Sequence, residues 1–516
     1  MVQILEELNR KAEFFVKKWH LSICVIVTIG LIIRLYYLPY NLPVILDAQQ
    51  FFWYANDLVI LGKFHYMDSP HIVWPGFLSM FFLLVHSDNF LDYMNVQRLV
   101  TIFLSMITVI PVYFLCKKFF NPKIALVGAA LFIFEPRLIQ NSLTGLAEPL
   151  FIFLISVSLL FFLSKNKKIV YVSFITVGLV SLVRPEGVFV FFALSILFFI
   201  KYKKEKKVIL EYIFVLSLFI LTLLPIGIIR EDLGMGDPIT GRLVGESSYQ
   251  IENISNENSN FVNYFVKGLE NPIKLFGWSL IPLFVLFVLP GLLLIFKKFN
   301  DKSLFLSIVG FNMIIPIFHA LSRGSDTRYI FPLYPVLVIV SLYFISYIDN
   351  KFKYENLFLV LLILGVLIAS LMFLDYKMPD KNHEIEAMKI SYKINEITQT
   401  VNSYYPETVY INIPSMAKEK FPILYSNFED KSSKIVEVHA DSIDEYIKLC
   451  KEKGITHLVI DDRDYSLMNT QFLGDVFKNE QEYPYLIKQY DSRVDNFSYH
   501  VKIFKIDYDM FFQYKM

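Results

Sequence analysis

Asp47 stands in LIIRLYYLPYNLPVILDAQQFFWYAND at 31–57, a stretch that leaves the first long apolar run and becomes polar and aromatic. A second acid, Glu148, stands where another apolar run begins, in SLTGLAEPLFIFL. Carboxylates at the edge of lipid can act as bases or hold a cation, and an ionisable group at that depth is a functional candidate by default. Each also has a plainer role. Asp47 can simply solvate a loop. Glu148, followed by Pro149, can be the first-turn acid that a helix dipole favours.

The arginines add weight to the chemical role. Of 49 Lys and Arg residues only eleven are Arg. Eight of them, Arg34, Arg98, Arg137, Arg184, Arg230, Arg242, Arg323 and Arg328, fall at or near the ends of apolar runs on the side away from the lysine clusters. The loops on the other side use lysine instead. A guanidinium offers a planar five-donor fork that grips phosphate or carboxylate in two-point fashion and stays charged near lipid. Singly, each arginine can pair with a local acid such as Glu135, Glu186 or Asp326, or snorkel to water. As a set they indicate an anionic ligand, with Arg34, Arg98, Arg184, Arg323 and Arg328 as its candidate contacts. His65 and His71 flank Asp68 and are candidates for a divalent metal ion, although their spacing matches no closed site.

These groups need membrane helices to position them. The chain is 55% hydrophobic, with mean hydropathy +0.47 and net charge +1. Its runs are long enough to span lipid, and the near-neutral balance gives no reason to expect nucleic acid as a partner. Cys24, Cys116 and Cys450 allow no disulfide framework. The run at 20–40 reads as a retained first span rather than a signal peptide. Lysine placement puts the N-terminus and KYKKEKK in the cytoplasm and 41–96 outside. Within 41–96, residues 71–86 read as a re-entrant or juxtamembrane helix, since a crossing needs about 20 residues. The remaining runs, 97–116, 124–140, 148–164, 169–183, 188–200, 208–229, 275–296, 303–320, 329–348 and 355–375, bring the expectation to about eleven spans.

Composition changes near 376. Residues 376–516 are expected to form a soluble extracytoplasmic α/β domain, and 1–375 a transmembrane domain. Helical spacing covers 384–400 and DSIDEYIKLCKEK. TVYINI, KIVEV, THLVID and YHVKIFKI read as strands. There is no Gly-rich phosphate loop, so no nucleotide cofactor is expected.

RLYYLP followed by LDAQQFFWYA resembles the first span and outer loop of the GT-C membrane glycosyltransferases, in particular the protein O-mannosyltransferase and aminoarabinose transferase branch. LTGLAEPLFIFLISVSLLFF, LVRPEGVFVFFALSILFF and TRYIFPLYPVLVIV resemble later spans of that branch. No WWDYG motif occurs, which sets the oligosaccharyltransferase branch aside. The resemblance implies a mainly α polytopic fold and inverting transfer of a hexosyl or pentosyl unit from a polyprenyl-phosphate (dolichyl- or undecaprenyl-type) donor. The acceptor would be a protein, glycan or lipid at the outer face of the plasma membrane. By position, Asp47 matches the first-loop catalytic acid, Glu148 the second acid, and Arg328-Tyr329 a late Arg-Tyr pair. Where many relatives carry Asp-Glu, this chain has Asp47-Ala48. On that reading Asp47 is the base and Arg328 the phosphate clamp, supported by Arg184 and Arg98. A transporter or flippase for a lipid-linked sugar would instead call for polar groups along the span centres and for inverted repeats. The centres here are apolar and no repeat is visible.

Overall fold

The computed structural model describes residues 2–63, 72–232, 260–297, 299–323, 326–403, 410–432, 435–436, 438–463 and 472–514. They cluster into two compact units. The first comprises 1–38, 63–81 and 96–375, and the second 39–62, 82–95 and 376–516.

In chain order the helices are α1 Val2–Lys17, α2 Trp19–Tyr37, α3 Asp47–Leu61, α4 Val73–Phe82, α5 Phe90–Ile107, α6 Val109–Phe119 and α7 Pro122–Ile133. Then come α8 Pro136–Ser142, α9 Glu148–Phe162, α10 Lys167–Val183, α11 Gly187–Tyr202 and α12 Val208–Asp232. They are followed by α13 Asn260–Leu280, α14 Val288–Lys297, α15 Asp301–Arg323, a 3-10 helix Thr327–Leu333, α16 Tyr334–Asp349 and α17 Glu355–Tyr376. Among the described residues, six helical stretches are long and apolar enough to cross a membrane, and five apolar helices are shorter.

Several expected spans are broken, and prolines explain most breaks. The run 124–140 divides into α7 and α8 at Glu135, because Pro136 cannot donate to the α7 ladder and suits the first turn of a new helix. The run 275–296 is not one helix either. α13 ends at Leu280, Pro282 follows, and α14 begins only at Val288. The run 329–348 opens as a 3-10 segment that contains Pro332. The helix expected at 71–86 is the shorter α4, with residue 71 outside the described residues.

α14 and α16 pack closely because Gly291 presents no side chain. A Cβ there would lie 2.1 Å from the Val340 carbonyl oxygen. Burial explains much of the rest: the middle of α7 is buried all round, so it sits inside the helical unit rather than facing lipid.

In the second unit, α3 carries an aromatic run of a composition that suits a membrane interface. Phe51, Phe52 and Trp53 are instead core residues. Phe421 lies 5.3 Å from Phe52 and 4.9 Å from Tyr93, ring to ring, and Trp53 stacks on Phe428 at 5.0 Å. The Asp57 carboxylate accepts the Tyr425 backbone N–H at 2.9 Å, and Asn56 donates to the Ile423 carbonyl at 2.5 Å. The first-loop segment therefore belongs with residues of the C-terminal region.

That region is α/β. Its four-stranded sheet has the order β1 (Val401–Ser403), β2 (His457–Asp461), β4 (Val501–Ile506), β3 (Leu486–Asp491). β1 and β2 are parallel with Val401 opposite His457, and the other two pairings are antiparallel. The helix expected at 384–400 is α18, Met378–Ile397, and the amphipathic stretch at 441–454 forms α19, Ile443–Glu452, which Gly454 follows in the left-handed region. THLVID and YHVKIFKI supply β2 and β4 as expected. TVYINI does not form a strand where it is described: Tyr410 to Asn412 form turns and Ile413 opens a short helix. Where it is described, KIVEV contributes an isolated bridge from Ile435 to Val401 and no strand.

Gly291→Ala is expected to push α14 from α16 and cost about 1–3 kcal/mol, read as a lower midpoint of thermal unfolding of the detergent-solubilised protein.

Candidate active site

The first unit gathers charge around one turn. α10 ends at Arg184 because Pro185 cannot continue it, and Gly187 opens α11. A Cβ on Gly187 would come within 2.7 Å of the Val180 backbone, so the turn needs glycine for space. The turn delivers Arg184 inward, where only 8% of it is exposed. Its Nη1 donates to Glu148 Oε1 at 2.5 Å, its Nη2 to Glu186 Oε1 at 3.1 Å and its Nε to Glu186 Oε2 at 3.4 Å. Its guanidinium also lies 5.3 Å from the centre of the Tyr329 ring and 5.8 Å from that of Phe151, within cation–π range.

Glu148 is the first residue of α9 and is 2% exposed. Its second oxygen, Oε2, is buried and has no hydrogen-bond partner among the described residues. A buried carboxylate oxygen left unsatisfied is costly and is a recurrent mark of a catalytic or ligand-binding position. Arg184, Glu186 and Tyr329 line a cleft whose other walls are apolar side chains of α9, α11, α15 and the 3-10 helix. Pro316, which breaks the α15 ladder, is one of them.

Tyr329 is held by its neighbours. Asp326 caps the 3-10 helix by accepting the Arg328 N–H at 2.9 Å, and it pairs with the Arg328 side chain at 2.5 Å. The Arg328 guanidinium lies 5.9 Å from the Tyr329 ring centre, so two arginines share that ring.

The structure thus brings together Arg184, Glu148, Tyr329 and Arg328, as the sequence suggested, and adds Glu186 and Asp326. Both had been weighed only as local partners. With three acids against two arginines, the cluster carries a formal charge of about −1. Arg184, expected to support a phosphate, is instead ion-paired to two carboxylates. Arg98 and Arg34 do not join the cluster. Arg98 Nε donates to the Leu143 carbonyl at 3.0 Å. Arg34 is fully buried and donates to Ser142, Gly30, Ile133 and Ser105 at 3.0–3.2 Å.

Asp47 belongs to the second unit, where it is the exposed first residue of α3. The residue before it, Leu46, has φ 54° and ψ −133°. Such a backbone costs a bulky residue about 1–3 kcal/mol and persists only where the surrounding structure holds it. His65, His71 and Arg242 lie outside the described residues, as does the side chain of Arg323. Among the described residues no group of three or more His, Cys, Asp or Glu could hold a metal ion.

Comparison with known proteins follows the same lines. Residues 94–418 match the family described as "Predicted membrane protein (DUF2079)". The chain belongs to that family. No curated protein matches it in sequence. Among solved structures, the oligosaccharyltransferase of Archaeoglobus fulgidus in its apo form is similar at 12% identity and TM-score 0.56, covering 92% of this chain and 73% of that one. ArnT of Cupriavidus metallidurans bound to undecaprenyl phosphate is similar at 11% identity and TM-score 0.52, covering 94% of this chain and 98% of that one. The chain shares its fold with these two structures, and its C-terminal region adds a small sheet.

Arg184→Met is expected to leave the buried Glu148 carboxylate uncompensated and to destabilise the protein by about 3–5 kcal/mol. Adding Glu148→Gln should recover much of that loss. Thermal unfolding of the wild type, both single variants and the double variant is the measurement.

Proposed function

We propose that this membrane protein is an inverting glycosyltransferase that moves a sugar from a polyprenyl phosphate to an acceptor hydroxyl at the outer face of the cell membrane. The observation that carries the reading is the Glu148–Arg184–Glu186 cluster, with its unsatisfied carboxylate oxygen, set against an apolar cleft in a GT-C fold. ArnT, which shares that fold, was solved with undecaprenyl phosphate. An apolar cleft suits an isoprenoid tail, and a donor of that kind needs no nucleotide site.

In the proposed reaction the acceptor hydroxyl attacks the anomeric carbon from the face opposite the phosphate. The new C–O bond forms as the bond from the anomeric carbon to the phosphate oxygen breaks. By the family resemblance Asp47 is the candidate for the base that takes the hydroxyl proton, and the polyprenyl phosphate leaves with the electron pair. Arg328 stabilises the charge that develops on the phosphate. Arg184 serves less as a phosphate clamp than as a brace for the two glutamates. Glu148 Oε2 is left to accept a hydrogen bond from a hydroxyl of the sugar or acceptor. The described residues do not by themselves furnish a metal site, and no step is routed through one.

The test offers the purified protein radiolabelled undecaprenyl- and dolichyl-phosphate hexoses and pentoses, with membranes of the source cell as acceptor. Transfer to a non-lipid or lipid product is the expected result. Asp47→Asn should lower turnover by about 10²–10⁴-fold, the usual worth of a general base, without lowering thermal stability. Near-normal transfer by that variant would remove Asp47 from the mechanism, and no transfer from any donor would sink the reading.

The proposed orientation places the N-terminus inside and 376–516 outside, following the lysine segregation. In a background freed of the native cysteines, Val494→Cys, at an exposed position of the C-terminal region, should react with an impermeant maleimide in intact cells and Lys204→Cys should not. The reverse pattern would invert the topology.

A further inference from the structure

We infer that the turn between α8 and α9 is a clamped platform that positions Glu148, and that Gln97, Trp74 and Thr101 are positioning residues for the proposed reaction. This inference rests on the reading of Glu148 given above.

α9 begins without help from a capping side chain, because the residue before Glu148 is Ala147. The start of a helix with no side-chain cap is free to fray. The segment Leu143–Ala147 offers no carboxylate or amide side chain that could fix it. Its carbonyls are instead held from outside. Gln97 Nε2 donates to the Gly145 carbonyl at 2.8 Å, and Trp74 Nε1 reaches the same oxygen at 3.3 Å. Thr101 donates to the Ser142 carbonyl at 2.7 Å. Arg98 Nε takes the Leu143 carbonyl, and Arg34 Nε takes the Ser142 hydroxyl at 3.1 Å. Helices α2, α4 and α5 thus all grip six residues.

Gly145 shows how tight the grip is. Its φ is +81°, a conformation that favours glycine, and a Cβ there would lie 2.9 Å from Gln97 Cγ. Gln97, Trp74, Thr101 and Ser142 are all fully buried. Burying donors around a turn is costly unless every one is used, and each bond here satisfies a carbonyl that the break between α8 and α9 leaves without a helical donor. The product of the arrangement is the fixed position of Glu148 three residues later, with one oxygen on Arg184 and the other open. Trp74 also gives α4, which lies within 41–96, a direct hold on that position.

The test uses full-length protein and two near-isosteric variants, Gln97→Met and Trp74→Phe, together with Thr101→Val and its conservative partner Thr101→Ser. Hydrogen–deuterium exchange should speed up at 143–148 in the first three and not in Thr101→Ser. With the donor that the wild type uses, kcat should fall about 10–100-fold with KM within about twofold, as small misplacement of a catalytic group does. In a Glu148→Gln background the same substitutions should cost little more, because the group they position is gone. A residue that only stabilises the fold would reduce turnover equally in both backgrounds, and that outcome overturns the inference. Unchanged exchange at 143–148 also overturns it. If the wild type transfers no sugar, the functional reading fails on its own account, and the exchange data alone decide whether the platform exists.

Discussion

A guanidinium removed from water costs several kcal/mol unless its donors find acceptors, and the helical unit of this protein is arranged around meeting that requirement. Arg34 is the extreme case. It has no exposed surface, and its described acceptors are two backbone carbonyls and two serine hydroxyls, all neutral. Those acceptors come from α2, α5, the end of α7 and α8, so a single side chain ties four helices. Arg137 meets the same requirement differently. It donates to the Trp278 carbonyl at 2.6 Å, and its guanidinium lies 5.1 Å from the Trp278 ring centre and 5.0 Å from that of Phe373. Arg98 takes the Leu143 carbonyl.

Arg184 alone among these four is shown ion-paired to acids, and it has two. The consequence is chemical as well as structural. An arginine between two carboxylates cannot give its full charge to a phosphate, but it can hold both acids rigid beside an apolar cleft. Rigid, dry carboxylates at a fixed spacing suit the orientation of hydroxyl groups, which is the task that the proposed reaction sets. Arg328 pairs with Asp326 and is 24% exposed at its side chain.

The second unit follows a different logic. Its sheet buries one contiguous core, including Tyr446, Ile447, Leu458, Phe504 and Phe511. The helix that carries Asp47 is fixed separately by stacked aromatics, with Phe421 between Phe52 and Tyr93. Placing the aspartate on a helix packed by large rings, after a strained Leu46, gives it a defined position that an unpacked loop would lack.

The sequence by itself determined the membrane class and the strands at THLVID and YHVKIFKI, because long apolar runs and short runs of β-branched and aromatic residues are local signals. It also picked out Glu148, Arg184, Arg328 and Tyr329 as chemically loaded. It could not tell Arg34 from Arg184, since both read as arginines at span ends. Only the tertiary structure decided that one is a staple among neutral acceptors and the other a brace between acids, because that depends on which helices, more than a hundred residues apart in the case of Arg34 and Ser142, come together. The same holds for the aromatic run at 51–53. Its composition suits a membrane interface and a protein core equally well, and the choice fell to residues near 421–428, whose partnership with it no local pattern encodes.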